Sequence, residues 1–220
     1  DIIRKKIISK FEVRPSYIFA AGSKSLYVSE NYKSLDSEKV KILKCHSLDY
    51  ERYLECKNNL PDKNFENSIV YIDQYFEGNY DLLLCGEKTI ETQLHWKPIN
   101  NFLNNLSSKL KKKVIIAGHP KRNQKEKIIF GHEIIYNQTA NLIKNSSLVV
   151  GHNSTAVSLV VLFQKPYISI TTDELMKHTE YFSIKKFSIE LGSKLINIDH
   201  FNDYNSHDFL KHDKNIYKTY

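Results

Sequence analysis

The chain has 220 residues, 41% hydrophobic and 26% charged, which suits one or two domains with cores of their own and argues against wholesale disorder. Its 32 Lys and Arg against 25 Asp and Glu leave a formal charge of +7, but the cations fall in short clusters interleaved with acids (Arg4 to Lys6, Lys109 with Lys111 to Lys113, Lys121 and Arg122 with Lys125 and Lys127), not in the single basic stripe of a nucleic-acid binder. No run approaches the roughly 18 consecutive apolar residues of a membrane span, and the opening DIIRKKIISKF lacks a signal peptide's apolar core and cleavage site, so a cytoplasmic protein is expected.

In chain order, continuous apolar runs of strand type cover 16–22 (SYIFAAG), 40–47 (VKILKCHS), 68–76 (SIVYIDQYF), 113–119 (KVIIAGH), 133–136 (EIIY), 147–152 (SLVVGH) and 166–170 (PYISI). Continuity, in place of alternation, predicts parallel strands buried on both faces. Between Trp96 and Lys111 the residues Ile99, Phe102, Leu103, Leu106 and Leu110 share one helical face, with Pro98 placed in the first turn. Further helices are predicted over 138–145, 154–164 and 173–191, the last ended by Gly192. Strand and helix in alternation predict a doubly wound α/β fold. Cys45, Cys56 and Cys85 are odd in number and lack ligand spacing, so neither a disulfide nor zinc is expected, and no metal or cofactor.

Ligands of such sheets bind beyond the carboxyl ends of the strands, and the polar residues cluster there. The candidates are His119, Pro120 and Lys121, then Gln138 and Thr139, then His152, Ser154 and Thr155, then Thr171 to Asp173, so that four consecutive strand ends converge on one crevice. Ser154 and Thr155 are expected to open a helix whose free N–H groups and dipole suit a phosphate, with Gly151 allowing close backbone approach. An ordinary N-cap at Asn153 or Ser154 is the plainer alternative. His119 ends a strand and is stiffened by Pro120, a placement suited to donating to a phosphate. His46 and Asp49 follow the second strand and could face the cleft as acceptor-side acid or base, or Asp49 could cap a helix starting at Tyr50. Glu87, Glu91, His95 and Trp96 lie nearer a linker and could contact the acceptor.

The succession VIIAGHPKRN, a short strand, then NQTANLIKNSSLVVGHNSTAVSLVVLFQKPYISI resembles the C-terminal half of GT-B glycosyltransferases, and more narrowly bacterial sialyltransferases and Kdo transferases that use CMP-activated sugars and carry a His-Pro and a later Ser-Ser/Thr motif. KCHSLDYERYLE and VYIDQYF are similar to proteins of capsule and lipopolysaccharide gene clusters. The resemblance covers about residues 40–200 and implies an α/β, GT-B-like fold of Rossmann-type parallel sheets with helices on both faces. It implies a partial N-terminal acceptor-side domain over 1–90, a nucleotide-sugar-binding domain over 91–200, and a polar tail or helix over 201–220. His119, Ser154 and Thr155 would hold the CMP phosphate. Asp73 would be the general base, although Gln74 stands where the motif has its second acid and the nearby acid-Gly pair is Glu77-Gly78. A nucleophile or a structural cap are the other roles open to Asp73. The implied reaction transfers an acidic sugar from a CMP donor to a glycan or lipid-linked glycan acceptor, at the inner face of a membrane in the peripheral case, without nucleic acid. A CDP-glycerol or CDP-ribitol phosphotransferase, or a non-catalytic nucleotide- or nucleic-acid-binding module, are the alternatives. The chain opens at Asp1, and a fragment of a longer enzyme is expected.

Overall fold

The computed structural model describes residues 16–21, 40–78, 80–84, 86, 88–200 and 206–219. They belong to two compact units, Asp1–Glu51 and Arg52–Tyr220. In the first, β1 (Tyr17–Ala21) pairs in parallel with β2 (Lys41–Cys45), from Tyr17 opposite Lys41 to Ala21 opposite Cys45. Helix α1 (Leu48–Lys57) starts at the end of this unit. Its cap is Ser47, whose Oγ accepts the Tyr50 N–H at 3.2 Å, so the expected cap at Asp49 is corrected: Asp49 and Glu51 lie in the first turn, where negative charge suits the helix dipole.

The second unit is a seven-stranded sheet. Its strands are β3 (Ile69–Ile72), β4 (Val114–Gly118), β5 (Ile128–Ile129), β6 (His132–Tyr136), β7 (Leu148–Gly151), β8 (Tyr167–Thr171) and β9 (Leu195–Asn197), in the spatial order β5-β6-β4-β3-β7-β8-β9. Only β5, a two-residue hairpin partner of β6, is antiparallel. The six parallel strands therefore run third, second, first, fourth, fifth, sixth across the sheet, the Rossmann order, in which the direction of winding reverses between β3 and β7. Because β3 lies at the centre of this sheet, the expected domain limit at residue 90 moves to 51/52.

Apolar side chains from both faces explain why these strands read as unbroken hydrophobic runs. On one face Ile69, Tyr71, Val114, Ile116 and Val150 pack against α3 (Thr92–Leu110) through Trp96, Ile99, Phe102, Leu103 and Leu106. Ile99, Leu103 and Leu106 are wholly buried, and each such side chain contributes about 1.5–3 kcal/mol relative to exposure. The other face carries Val70, Ile72, Ile115 and Val149 against α4 (Thr139–Asn145) and α5 (Val157–Leu162), with Tyr217 of α7 (Lys214–Thr219) closing the layer. A third cluster joins Leu82 of α2 (Tyr80–Leu84) to Leu175 and Ile184.

Three helix boundaries differ from expectation. Helix α3 begins at Thr92, so Pro98 sits inside it and not in its first turn; the carbonyl of Leu94, which Pro98 cannot pair, belongs to a residue 52% exposed. The predicted helix 173–191 is broken into a 3-10 turn (Leu175–Lys177) and α6 (Glu180–Glu190), with Thr172 Oγ1 accepting the Leu175 N–H at 3.1 Å. The helix after β7 starts at Val157, three residues later than predicted. Among the described residues no helix is long and apolar enough to cross a membrane, and no group of His, Cys, Asp or Glu could hold a metal ion.

Candidate functional site

The winding reversal between β3 and β7 opens a cleft of about 230 Å³ lined by Gln74 and Tyr75 after β3, His119 and Lys121 after β4, and Asn153, Ser154 and Thr155 after β7. Among these described lining residues there is no carboxylate. A larger depression of about 650 Å³ runs along β6, between Lys113 and Glu133 at one end and Asn137 and Gln138 at the other. The smaller cleft is the better candidate, because it alone sits where the sheet order brings neighbouring loops apart.

Each wall has a local cause. Gln74 bridges the ends of β3 and β7: its Nε2 donates to Asn153 Oδ1 at 2.9 Å, and its Oε1 accepts the Asn153 N–H at 3.0 Å. Asn153 Nδ2 donates onward to Glu180 at 2.9 Å. Tyr75 adopts φ 51°, held by its N–H donating to Asp73 Oδ1 at 2.9 Å, and Gly78 leaves room for its ring, since a Cβ there would lie 2.1 Å from Tyr75 Cζ. His119 to Arg122 form a turn closed by the Arg122 N–H on the His119 carbonyl at 3.0 Å, with Pro120 in the second position, where its fixed φ fits. The Lys121 N–H donates to His119 Nδ1 at 3.2 Å. In the neutral imidazole the proton therefore sits on Nε2, which makes that nitrogen a donor.

The turn also carries Arg122 back beneath the cleft. Its Nε donates to Asp73 Oδ2 at 2.8 Å, and its NH2 group donates to Asp73 Oδ1 at 3.2 Å and to Glu77 Oε1 at 2.5 Å. The guanidinium lies over the rings of Tyr75 at 4.4 Å and Trp96 at 5.3 Å, and Trp96 Nε1 donates to Glu77 at 2.7 Å. The side chains of Arg122, Asp73 and Glu77 are 7%, 0% and 6% exposed. Burial opposes the guanidinium charge, but the hydrogen bonds and charges of Asp73 and Glu77 outweigh it and hold its pKa above the ordinary value.

Several expected site residues lie elsewhere. The Asp73 carboxylate does not project into the cleft but is enclosed below it by Arg122. His152 is wholly buried, with Nε2 3.1 Å from the Tyr71 hydroxyl and Nδ1 2.8 Å from the Ile170 carbonyl, so its imidazole is a core group and not a ligand contact. Burial and the neighbouring His95 depress its pKa to about 3, and burial depresses that of His95 to about 4. Both nitrogens of His95 lack a hydrogen-bond partner, and Trp96 is buried beside it, so neither residue is on an acceptor surface. The space above Gly151 is filled by Tyr167 and Ile72, making it a packing glycine.

Ser154 and Thr155 do not open a helix as expected. They precede a six-residue helix, and Ser154 Oγ accepts the Ala156 N–H at 3.3 Å. What they offer a ligand is their side chains and not a helix terminus. Gln138 and Thr139 are at the start of α4, and Gln138 lines the groove along β6. Asp173, after β8, engages Asn197 at 2.7 Å and His200 at 3.0 Å. The converging ends are thus β3, β4 and β7, not the four predicted. Pro120 and Lys121 are exposed in the His119 turn. His46 belongs to the first unit, exposed beside Glu51 at 3.4 Å, as does Asp49. Glu87, Cys85 and Gly22 lie outside the described residues. Gln74, Tyr75, Asn153 and Arg122 were not among the expected ligand contacts; for Arg122 the signal was its place three residues after His119, at the close of a Pro turn.

No family model matches the chain, and no curated protein does. Among solved structures it is similar to a variant of the wall teichoic acid polymerase TagF, with 13% identity and TM-score 0.51 over 98% of this chain and 55% of that one. A second TagF structure aligns with TM-score 0.48 at 13% identity, over 93% and 51% of the two chains. A glycotransferase of kitacinnamycin aligns with TM-score 0.46 at 6% identity, over 93% and 48%. The chain thus spans about half the length of the structures it resembles. At such low identity the likeness speaks for architecture, and the fold is the expected one: mixed α/β and GT-B-like, with a mostly parallel sheet between helices.

Proposed function

We propose that the second unit is the donor-binding half of a glycosyltransferase, seating the phosphate of a nucleotide-activated donor in the cleft between β3, β4 and β7. The observation that carries this reading is the lining: His119, Lys121, Asn153, Ser154 and Thr155 offer donors, without a carboxylate among the described lining residues. The finer reading is a CMP-activated acidic sugar, transferred to a glycan or lipid-linked glycan. The sugar–phosphate bond breaks with its electron pair going to the phosphate oxygen. Lys121 and the His119 Nε2–H stabilise the charge left there, while the acceptor oxygen bonds to the sugar and passes its proton to the acceptor-side base. His46 and Asp49 of the first unit are the proposed acceptor-side groups, and His46→Ala or Asp49→Asn should then lower transfer while leaving CMP affinity intact.

A second reading is favoured by the likeness to the teichoic acid polymerase: transfer of a polyol phosphate from a cytidine carrier. Both use the same anion seat and differ in which donor turns over. The test is a thermal-shift series with CMP, CDP, UMP and GMP. A ligand at ~100 times its dissociation constant adds about 2.7 kcal/mol to the stability of the state that binds it. Cytidine nucleotides are expected to raise the melting temperature more than UMP or GMP; equal shifts, or none, defeat the donor assignment. Turnover of a CMP-sugar against a CDP-polyol then separates the two readings.

A further inference from the structure

We propose that Asp73 and Arg122 form a positioning pair that locks the loops after β3 and β4 together, so that His119 presents its Nε2–H to a phosphate in the cleft while Asp73 itself accepts no proton. The inference rests on the anion-cleft reading above and deepens it. Asp73 carries four donors on two oxygens: Tyr75 N–H and Arg122 NH2 on Oδ1, at 2.9 and 3.2 Å, and His119 N–H and Arg122 Nε on Oδ2, at 3.1 and 2.8 Å. An ionised carboxylate offers about four lone-pair sites, so all are taken. A general base needs one of them within about 2.6–3.2 Å of the acceptor's hydroxyl, and here the side chain is 0% exposed.

The same four bonds define what the pair does. Two of the donors are backbone N–H groups of cleft walls, Tyr75 and His119, and the other two come from one guanidinium, whose own backbone N–H closes the His119 turn. The guanidinium lies over the rings of Tyr75 and Trp96, and Glu77 accepts from the same NH2 group that bonds Asp73. A planar fork meets Asp73 and Glu77 together, which a lysine ammonium cannot do with the same geometry. Loosening the fork frees the turn, and with it the Lys121 N–H that fixes Nδ1 of His119 as an acceptor.

The test uses the full chain with 15N-labelled histidine. The His119 imidazole, assigned by its loss in His119→Gln, should be the Nε2–H tautomer without any ligand. Pyrophosphate and CMP affinity are measured in parallel by calorimetry. Asp73→Asn with Arg122→Gln together replaces the ion pair by two neutral amides. This double variant should melt within a few degrees of the parent, yet show mixed His119 tautomers and at least tenfold weaker pyrophosphate binding. Arg122→Lys keeps the charge and should fail to restore either property, which a role in charge balance alone would not predict. Retention of the parental tautomer by either variant overturns the pairing, as does an Asp73→Asn protein that loses sugar transfer with tautomer and affinity unchanged, since that is a base. If the parent binds neither pyrophosphate nor CMP, the anion-cleft reading fails by itself, and the tautomer signal still decides whether the pair positions His119.

Discussion

Lowering the pH from 7 to 5 is expected to destabilise the second unit by about 4 kcal/mol through two buried imidazoles. His95 and His152 are 0% exposed, and their pKa values fall to about 4 and about 3 in the folded protein, against ~6.5 in an unfolded chain. Between these limits the unfolded state binds the proton and the folded state does not, so stability rises with pH and is lost as pH falls below the unfolded value. Going from pH 7 to 5, the unfolded imidazole gains about 1.4 units of proton-binding free energy, or about 2 kcal/mol per histidine. Against a typical domain stability of about 5–15 kcal/mol, two such losses are large. Urea titration at constant ionic strength, at pH 7 and pH 5, reads this directly. His95→Leu isolates one share: both nitrogens of His95 lack partners, so leucine removes the titration without stranding a donor or acceptor, and should roughly halve the pH-dependent loss. An unchanged pH dependence in that variant would refute the burial argument.

Other expectations follow from single contacts. Tyr71→Phe removes the hydroxyl that donates to His152 Nε2 and should cost about 1–3 kcal/mol at pH 7, read by chemical denaturation, because a buried acceptor is left unpaired. Gly192 has φ 59°, and a Cβ there would lie 2.3 Å from Ile216 Cδ1, so Gly192→Ala should lower stability by about 1 kcal/mol or more, seen as a melting-temperature drop of a few degrees. His119→Ala should weaken CMP binding by about 1.5–3 kcal/mol without unfolding the chain, since the lost group is a donor to a charged oxygen; unchanged calorimetric affinity would move the anion site elsewhere. Ser154→Ala should cost less, because its Oγ is partly engaged as an acceptor of the Ala156 N–H.

The sheet was legible because its strands are buried on both faces. Ile69 to Ile72 and Val114 to Gly118 have no exposed member to interrupt the run, so periodicity alone separates them from amphipathic segments. The break at Asp173 to Glu180 was not legible, since its cause is the Thr172 side chain capping Leu175 in three dimensions. His119 and His152 look alike in sequence, each a histidine after a buried strand. What distinguishes them is tertiary: Tyr71, 81 positions away, and Ile170 take both nitrogens of His152. Likewise nothing local marks Arg122 as the partner of Asp73, 49 positions earlier. A buried acid at a strand end needs a cation or several donors, and that demand is the one sign of this pairing that the sequence carries.

The pairing also decides the sign of the cleft. His119 N lies 3.1 Å from Asp73 Oδ2, so a phosphate held by the His119 side chain would feel the charge of that carboxylate. At an effective dielectric of about 20, two like charges at ~7 Å repel by about 2.4 kcal/mol, comparable to what one charged hydrogen bond to the phosphate returns. An unpaired Asp73 would therefore cancel the contribution of His119. Arg122, with a pKa held above its ordinary value, stays charged throughout the working pH range and offsets Asp73, while Glu77, bonded to the same guanidinium, is buried beside Trp96. Because the compensation is built from buried groups, salt screens it little, whereas the exposed Lys121 is screened strongly. Anion affinity should then decline with ionic strength only by the share that Lys121 supplies, and Lys121→Gln should remove most of the salt dependence while leaving the His119 tautomer as it is. A salt slope unchanged by Lys121→Gln would show that the long-range attraction comes from the other scattered cations of the chain.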